Sequence, residues 1–142
     1  MNIARHIALI DELCFRPFTA ERDASGVEAG GPGYHVAVLE SSQGDCAARA
    51  VTVEQYEKDR DALYDRLASR WGETDPLSLE TTLLRTEQEE IPEPWAWLSA
   101  RARVAYLWEA EGTGRWVVVV VADREQDHDV QLLAVVTETA PP

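Results

Sequence analysis

Apolar residues recur in "NIARHIALIDELC" at Ile3, Ile7, Ile10 and Cys14, with Ala4, Leu9 and Leu13 widening the stripe. That spacing predicts an amphipathic helix with Asn2 as its N-cap and Pro17 as its stop. Residues 19–33 are polar and then glycine-rich ("SGVEAGGPG"), which predicts a loop. "YHVAVLE" (Tyr34–Glu40) alternates and predicts a strand. In "TVEQ", Thr52 and Gln55 have the spacing of a capping box, and Val53, Tyr56, Leu63, Leu67 and Trp71 line one side of the helix that follows. Gly72 supplies its end.

"LSLETTLLR" (Leu77–Arg85) places Leu77, Leu79, Thr81 and Leu83 at alternate positions and reads as a strand. Residues 86–94 form an acidic stretch whose Pro92 and Pro94 oppose regular structure, hence a loop. "PWAWLSAR" suits a short helical turn with Pro94 at its first position. The last third reads as a three-strand antiparallel meander. "RVAYLWEA" turns at "EGTG", "RWVVVVVA" returns, and "VQLLAVVTE" follows an acidic knot. Trp108 and Trp116 flank the first turn and are expected to meet across it. The resulting expectation is one α+β domain over residues 1–142, with two helices packed on one face of a mainly antiparallel sheet of about five strands.

The run Val117–Val121 carries the strongest constraint. Val117 and Val119 point one way from a strand and Val118 and Val120 the other, so both faces must be dry. With two helices on one face, the other face calls for the segment "IPEPWAWL" or for a second subunit.

Composition narrows the class. A chain of 142 residues with 45% apolar content supports a core and needs no disulfide framework. The longest apolar run, Trp116 to Ala122, is far short of the roughly 20 residues of a membrane span. Asp11 and Glu12 fall where a signal peptide would be apolar, so a cytoplasmic location is expected. Cys14 and Cys46 make no CxxC pair, and Cys14 lies on the apolar side of the first helix. The 26 acids against 13 bases give a net charge of −13, which repels nucleic acid and anionic lipid and either suits a basic partner or simply keeps the protein soluble. Twelve of the bases are Arg and only Lys58 is lysine, a composition that points to a GC-rich bacterial gene.

Candidate chemistry is sparse. Asp123, Glu125 and Asp127 alternate as the first EF-hand ligands do, but His128 replaces the required glycine and Ala134 the final glutamate. A transition-metal site at His128 with Asp127 or Asp129 lacks further ligands by spacing from His6 or His35. "GVEAGGPG" has no lysine and precedes a strand, unlike a phosphate-binding loop. Cys46 sits in no nucleophile signature, and Ser41 and Ser42 lack a G-x-S-x-G elbow. No catalytic, cofactor or metal residues are therefore assigned, and an enzyme is disfavoured.

The tryptophans remain. Trp95 and Trp97, Pro-bounded and beside acids, are the candidate anchor for a protein partner or for self-association as a homodimer. The leading expectation is a non-enzymatic protein–protein interaction module, of which an immunity or antitoxin protein is one concrete version. The alternative is a small-molecule-binding domain or small enzyme with a pocket between sheet and helices, lined by Tyr34, Tyr106 and Trp108.

Overall fold

The computed structural model describes residues 2–17, 28–31, 33–42, 49–124 and 129–142. Its elements run α1 (Ile3–Phe15), β1 (Glu28–Gly31), β2 (Tyr34–Ser41), α2 (Arg49–Trp71), β3 (Leu77–Ser78), α3 (Leu79–Arg85), α4 (Trp95–Arg101), β4 (Ala102–Ala110), β5 (Arg115–Ala122) and β6 (Gln131–Thr137). The strands form one sheet in the order β1-β2-β6-β5-β4-β3, and every neighbouring pair is antiparallel. β4, β5 and β6 are the meander, with β5 hydrogen-bonded on both sides.

The valine run dictates the layers. Val117, Val119 and Val121 join Leu132, Ala134 and Val136 of β6 under α1 and α2, which contribute Ile10, Leu13, Leu63 and Leu67. Val118 and Val120 join Leu133 and Val135 on the opposite face, under Leu79 of α3, Ile91, and Trp95 and Leu98 of α4. All five valines are buried. Burial of side chains of this size stabilises the fold by roughly 1.5–3 kcal/mol each before chain entropy is charged against it.

This corrects the expected architecture. Among the described residues there are four helices, two on each face, and not two on one face. The missing pair comes from two places. Leu77–Arg85 is not a strand: Leu77 and Ser78 pair with Ala105 and Val104, and the chain then turns into α3. Leu79, Thr82 and Leu83 lie at i, i+3 and i+4, so the same short run satisfies the helical period as well as the alternating one. The helix also has Glu80 in its first turn and Arg85 in its last, both suited to its dipole. The predicted turn at "PWAWLSAR" is a seven-residue helix, and it supplies the second cover itself.

Three local readings change too. Glu28–Gly31, within the expected loop 19–33, is an edge strand paired with Tyr34–Ala37. The α2 helix begins at Arg49, so Thr52 lies inside its first turn and Gln55 donates to Asp59 Oδ1 (2.9 Å) in place of a capping box. Trp108 pairs with Val117 and Trp116 with Glu109, so the two indoles leave the sheet on opposite faces and do not meet. Asn2 does cap α1, accepting from Arg5 N at 3.1 Å.

The second layer makes a sharp stability prediction. Trp95 is fully buried, and its Nε1 donates to Thr139 O (3.1 Å), tying α4 to the chain beyond β6. Trp95→Ala is expected to lower unfolding free energy by about 3–5 kcal/mol in urea denaturation. A loss under about 1 kcal/mol would show that this face is not packed as described.

Candidate functional site

A break in strand alternation builds the candidate site. In β2, Val36 and Val38 face the α3–α4 layer, and continued alternation would send Glu40 the same way. The register shifts between Val38 and Glu40, however: Val38 pairs with Leu133, while Glu40 pairs with Leu132. Leu39 is the extra residue of a β-bulge. Since Leu132 belongs to the α1–α2 face, the bulge re-aims Glu40 onto that face. The end of the strand is pinned by Ser42 N donating to Val130 O (2.9 Å) and Val130 N donating to Ser42 Oγ (3.0 Å).

Two helices deliver the other groups. His6 on α1 and Asp59 on α2 are each only 8% exposed, although both elements carry polar outer faces. His6 Nε2 lies 3.9 Å from Glu40 Oε1, beyond hydrogen-bond reach, and has no hydrogen-bond partner. The Glu40 and Asp59 carboxyls hydrogen-bond to each other, and Gln55 holds Asp59 from the next turn. Tyr56 and Asp129 edge the cluster, with Ser41 Oγ donating to Asp129 Oδ2 at 3.4 Å.

Electrostatics follow from this crowding. Burial pushes the Glu40 carboxyl up to about 7, aided by its hydrogen bond to Asp59 and by that group's charge. Burial lowers the His6 pKa, with Arg5 acting in the same direction and Asp59 against it. The Tyr56 hydroxyl is raised, first by burial and then by Glu40, Asp59 and Asp129. The corner thus holds a neutral imidazole and a Glu40 carboxyl that keeps its proton toward Asp59 near neutral pH. It can bind a cation or exchange a proton.

Of the candidates named from the sequence, His6, Ser41 and Asp129 lie at this corner, whereas the pocket and anchor residues do not. Tyr34 packs on the α3–α4 face, whereas Tyr106 and Trp108 lie on the α1–α2 face, so the three line no common pocket. Tyr64 of α2 fills the space over the latter two, with ring centroids 5.0 Å from Tyr106 and 5.5 Å from Trp108. Trp108 Nε1 donates to Gly72 O at 2.9 Å, which closes the end of α2. Tyr106 does border an open groove of about 380 Å³, where Arg60 stacks over its ring at 5.0 Å. Trp95 is core, while Trp97 is half-buried beneath the Arg101 guanidinium, 4.2 Å from its ring centroid.

Cys14 is buried, and burial raises its thiol pKa. Cys46, Glu125, Asp127 and His128 lie outside the described residues. Among the described residues, no group of three His, Cys, Asp or Glu side chains is arranged to hold a metal ion, and no helix is long and apolar enough to cross a membrane. No family model, curated protein or solved structure matches the chain.

The carboxyl pair makes stability depend on pH in a set direction. Because Glu40 titrates at about 7 in the folded chain and at about 4.5 unfolded, its neutral form stabilises the protein fully below pH 4.5. That contribution fades as pH rises through about 7. The lowered His6 acts on the acid side, where stability is lost as pH falls from 6.5 through its folded value, and this is common to wild type and variant. Glu40→Gln should therefore gain on wild type between pH 5 and 8, by on the order of 2 kcal/mol. Urea melts at pH 5, 6.5 and 8 measure it, and a difference independent of pH would contradict the assignment.

Proposed function

We propose that the protein is a non-enzymatic binding module that takes a positively charged protein partner on the layer formed by α3, residues 86–94 and α4. One observation carries this reading. Residues 79–94 contain five acids, Glu80, Glu87, Glu89, Glu90 and Glu93, against the single base Arg85. All five are exposed, and Leu84 stands 67% exposed on the same segment. Arg85 is committed to Glu89 at 2.8 Å, and Glu93 accepts from Trp97 N at 3.0 Å. Glu80, Glu87 and Glu90 have no ion-pair partner among the described residues.

An apolar side chain ringed by unneutralised charge of one sign suits a partner of the other sign with a recess for Leu84. Phe15 and Val51 are also exposed, but each lies close to residues outside the described set. Trp97 supplies a second contact through its uncovered edge. Trp95 supports the ledge from beneath and touches no partner. Neutralisation of a basic toxin, as in immunity and antitoxin proteins, is the concrete biological form of this reading, and its net charge of −13 favours fast capture of such a partner.

The test is capture of partners by the tagged full chain, followed by affinity measurement with the purified partner. A basic partner is expected, with affinity that falls as salt rises. Leu84→Arg combined with Glu87→Lys should weaken it by about thirtyfold or more, the scale of a central contact worth 2 kcal/mol. An acidic or neutral partner, or unchanged affinity in this variant, would overturn the reading.

A further inference from the structure

We propose that the corner formed by Glu40, Asp59 and His6 is a receptor for one primary ammonium group, supplied by a free alkylamine or by a lysine side chain of another protein. The site lies on the sheet face opposite the α3–α4 ledge, so it stands independently of what that ledge binds.

Three acceptors converge there from three elements. Glu40 comes from the bulge of β2, Asp59 from α2 and the imidazole from α1. Among the described residues neither carboxyl has a Lys or Arg ion-pair partner, and Asp59 is held only by the Gln55 amide and by Glu40. His6 Nε2 is the second and independent sign of a ligand. The residue is 92% buried by its 8% exposure, the atom faces Glu40, and it has no hydrogen-bond partner. Leaving a buried polar nitrogen unsatisfied costs about 1–3 kcal/mol, which a ligand donor would recover.

Donor count and size select the ligand. With its proton on Nδ1, the neutral imidazole presents Nε2 as an acceptor, and an ammonium has three N–H donors for three acceptor groups. The 3.9 Å between Nε2 and Glu40 Oε1 is what one nitrogen spans when it lies about 2.8 Å from each. A guanidinium is planar and needs a wider bidentate fork, and no metal-holding geometry is present among the described residues. Glu40 keeps 22% of its side-chain surface against 11% for His6, so the corner opens to solvent above Glu40.

Charge balance gives the reaction. Without a ligand, Glu40 holds a proton toward Asp59. The entering ammonium displaces it, leaving two carboxylates and releasing the proton to solvent. The groups facing this exchange are the amino terminus, His6 and Arg5 on α1, Glu40 on β2, Tyr56 and Asp59 on α2, and Asp129 ahead of β6. The three carboxyl groups outnumber the two cations, the amino terminus and Arg5, so the local field still favours a cation.

The experiment is titration calorimetry of the full chain with n-butylamine and, separately, with a short peptide carrying one lysine. Each is run at pH 6.5 in two buffers of different ionisation enthalpy, and again at pH 8. Saturable binding is expected with net proton release at pH 6.5, tighter binding at pH 8, and at least about a tenfold loss in both Glu40→Gln and Asp59→Asn. Tighter binding of butylamine identifies a free amine as the source, and tighter binding of the peptide identifies a protein lysine; either supports the site. Leu84→Arg should bind the probes as wild type does. The proposal is overturned by absence of binding for both probes, by equal binding in Glu40→Gln, or by uptake of Mg²⁺ or Mn²⁺ where neither amine binds.

Discussion

A strand of five valines that needs dry surroundings on both faces is the constraint from which this architecture follows. The central strand β5 is hydrogen-bonded to β4 and β6 along both edges, so its backbone is satisfied and only side-chain cover is at issue. On one face α1 and α2 provide it with amphipathic helices of thirteen and twenty-three residues. On the other, α3 and α4 have seven residues each, too short to hold helical form alone. They hold it because Leu79, Ile91, Trp95 and Leu98 are buried against the valines. Helix and sheet on that side are thus mutually dependent, and the proline-bounded segment between them is part of the core.

Once both faces are closed, polar chemistry is left to edges and strand ends. The bulge at Leu39 exploits one such place, rotating a carboxyl out of the alternation and under two helices. A buried acid with no base beside it is expensive. The chain resolves that cost by letting Glu40 keep its proton beside Asp59. Simple packing would be served as well by an apolar residue at either position, and the unsatisfied His6 nitrogen adds a further penalty. Groups so arranged are a poor device for stability and a good one for recognising a cation.

Much of the sheet was legible because alternation in β4, β5 and β6 is regular and their turns are marked. The failures have physical causes. Leu77–Arg85 fits periods of two and of three to four, and the burial of Leu79 against the sheet and α4 accompanies the helical choice. Trp95 and Trp97 looked like one anchor, yet residues two apart on a helix leave on nearly opposite sides. One is therefore core and the other half-exposed. Tyr34 was grouped with Tyr106 and Trp108 by type, whereas sheet parity places it on the other face. The carboxyl corner was invisible for a different reason. Its residues come from positions 6, 40 and 59, and the bulge that joins them leaves only an unremarkable "LE" in the sequence.

The claim on which the ammonium site rests is that Glu40 keeps its proton beside Asp59 near neutral pH. Carbon-13 NMR of the side-chain carboxyls, followed from pH 3 to 9 in the folded protein, observes this directly. The account predicts a Glu40 midpoint at about 7. It also predicts that the midpoint moves down in Asp59→Asn. A Glu40 midpoint near 4.5, unmoved by that substitution, would contradict it.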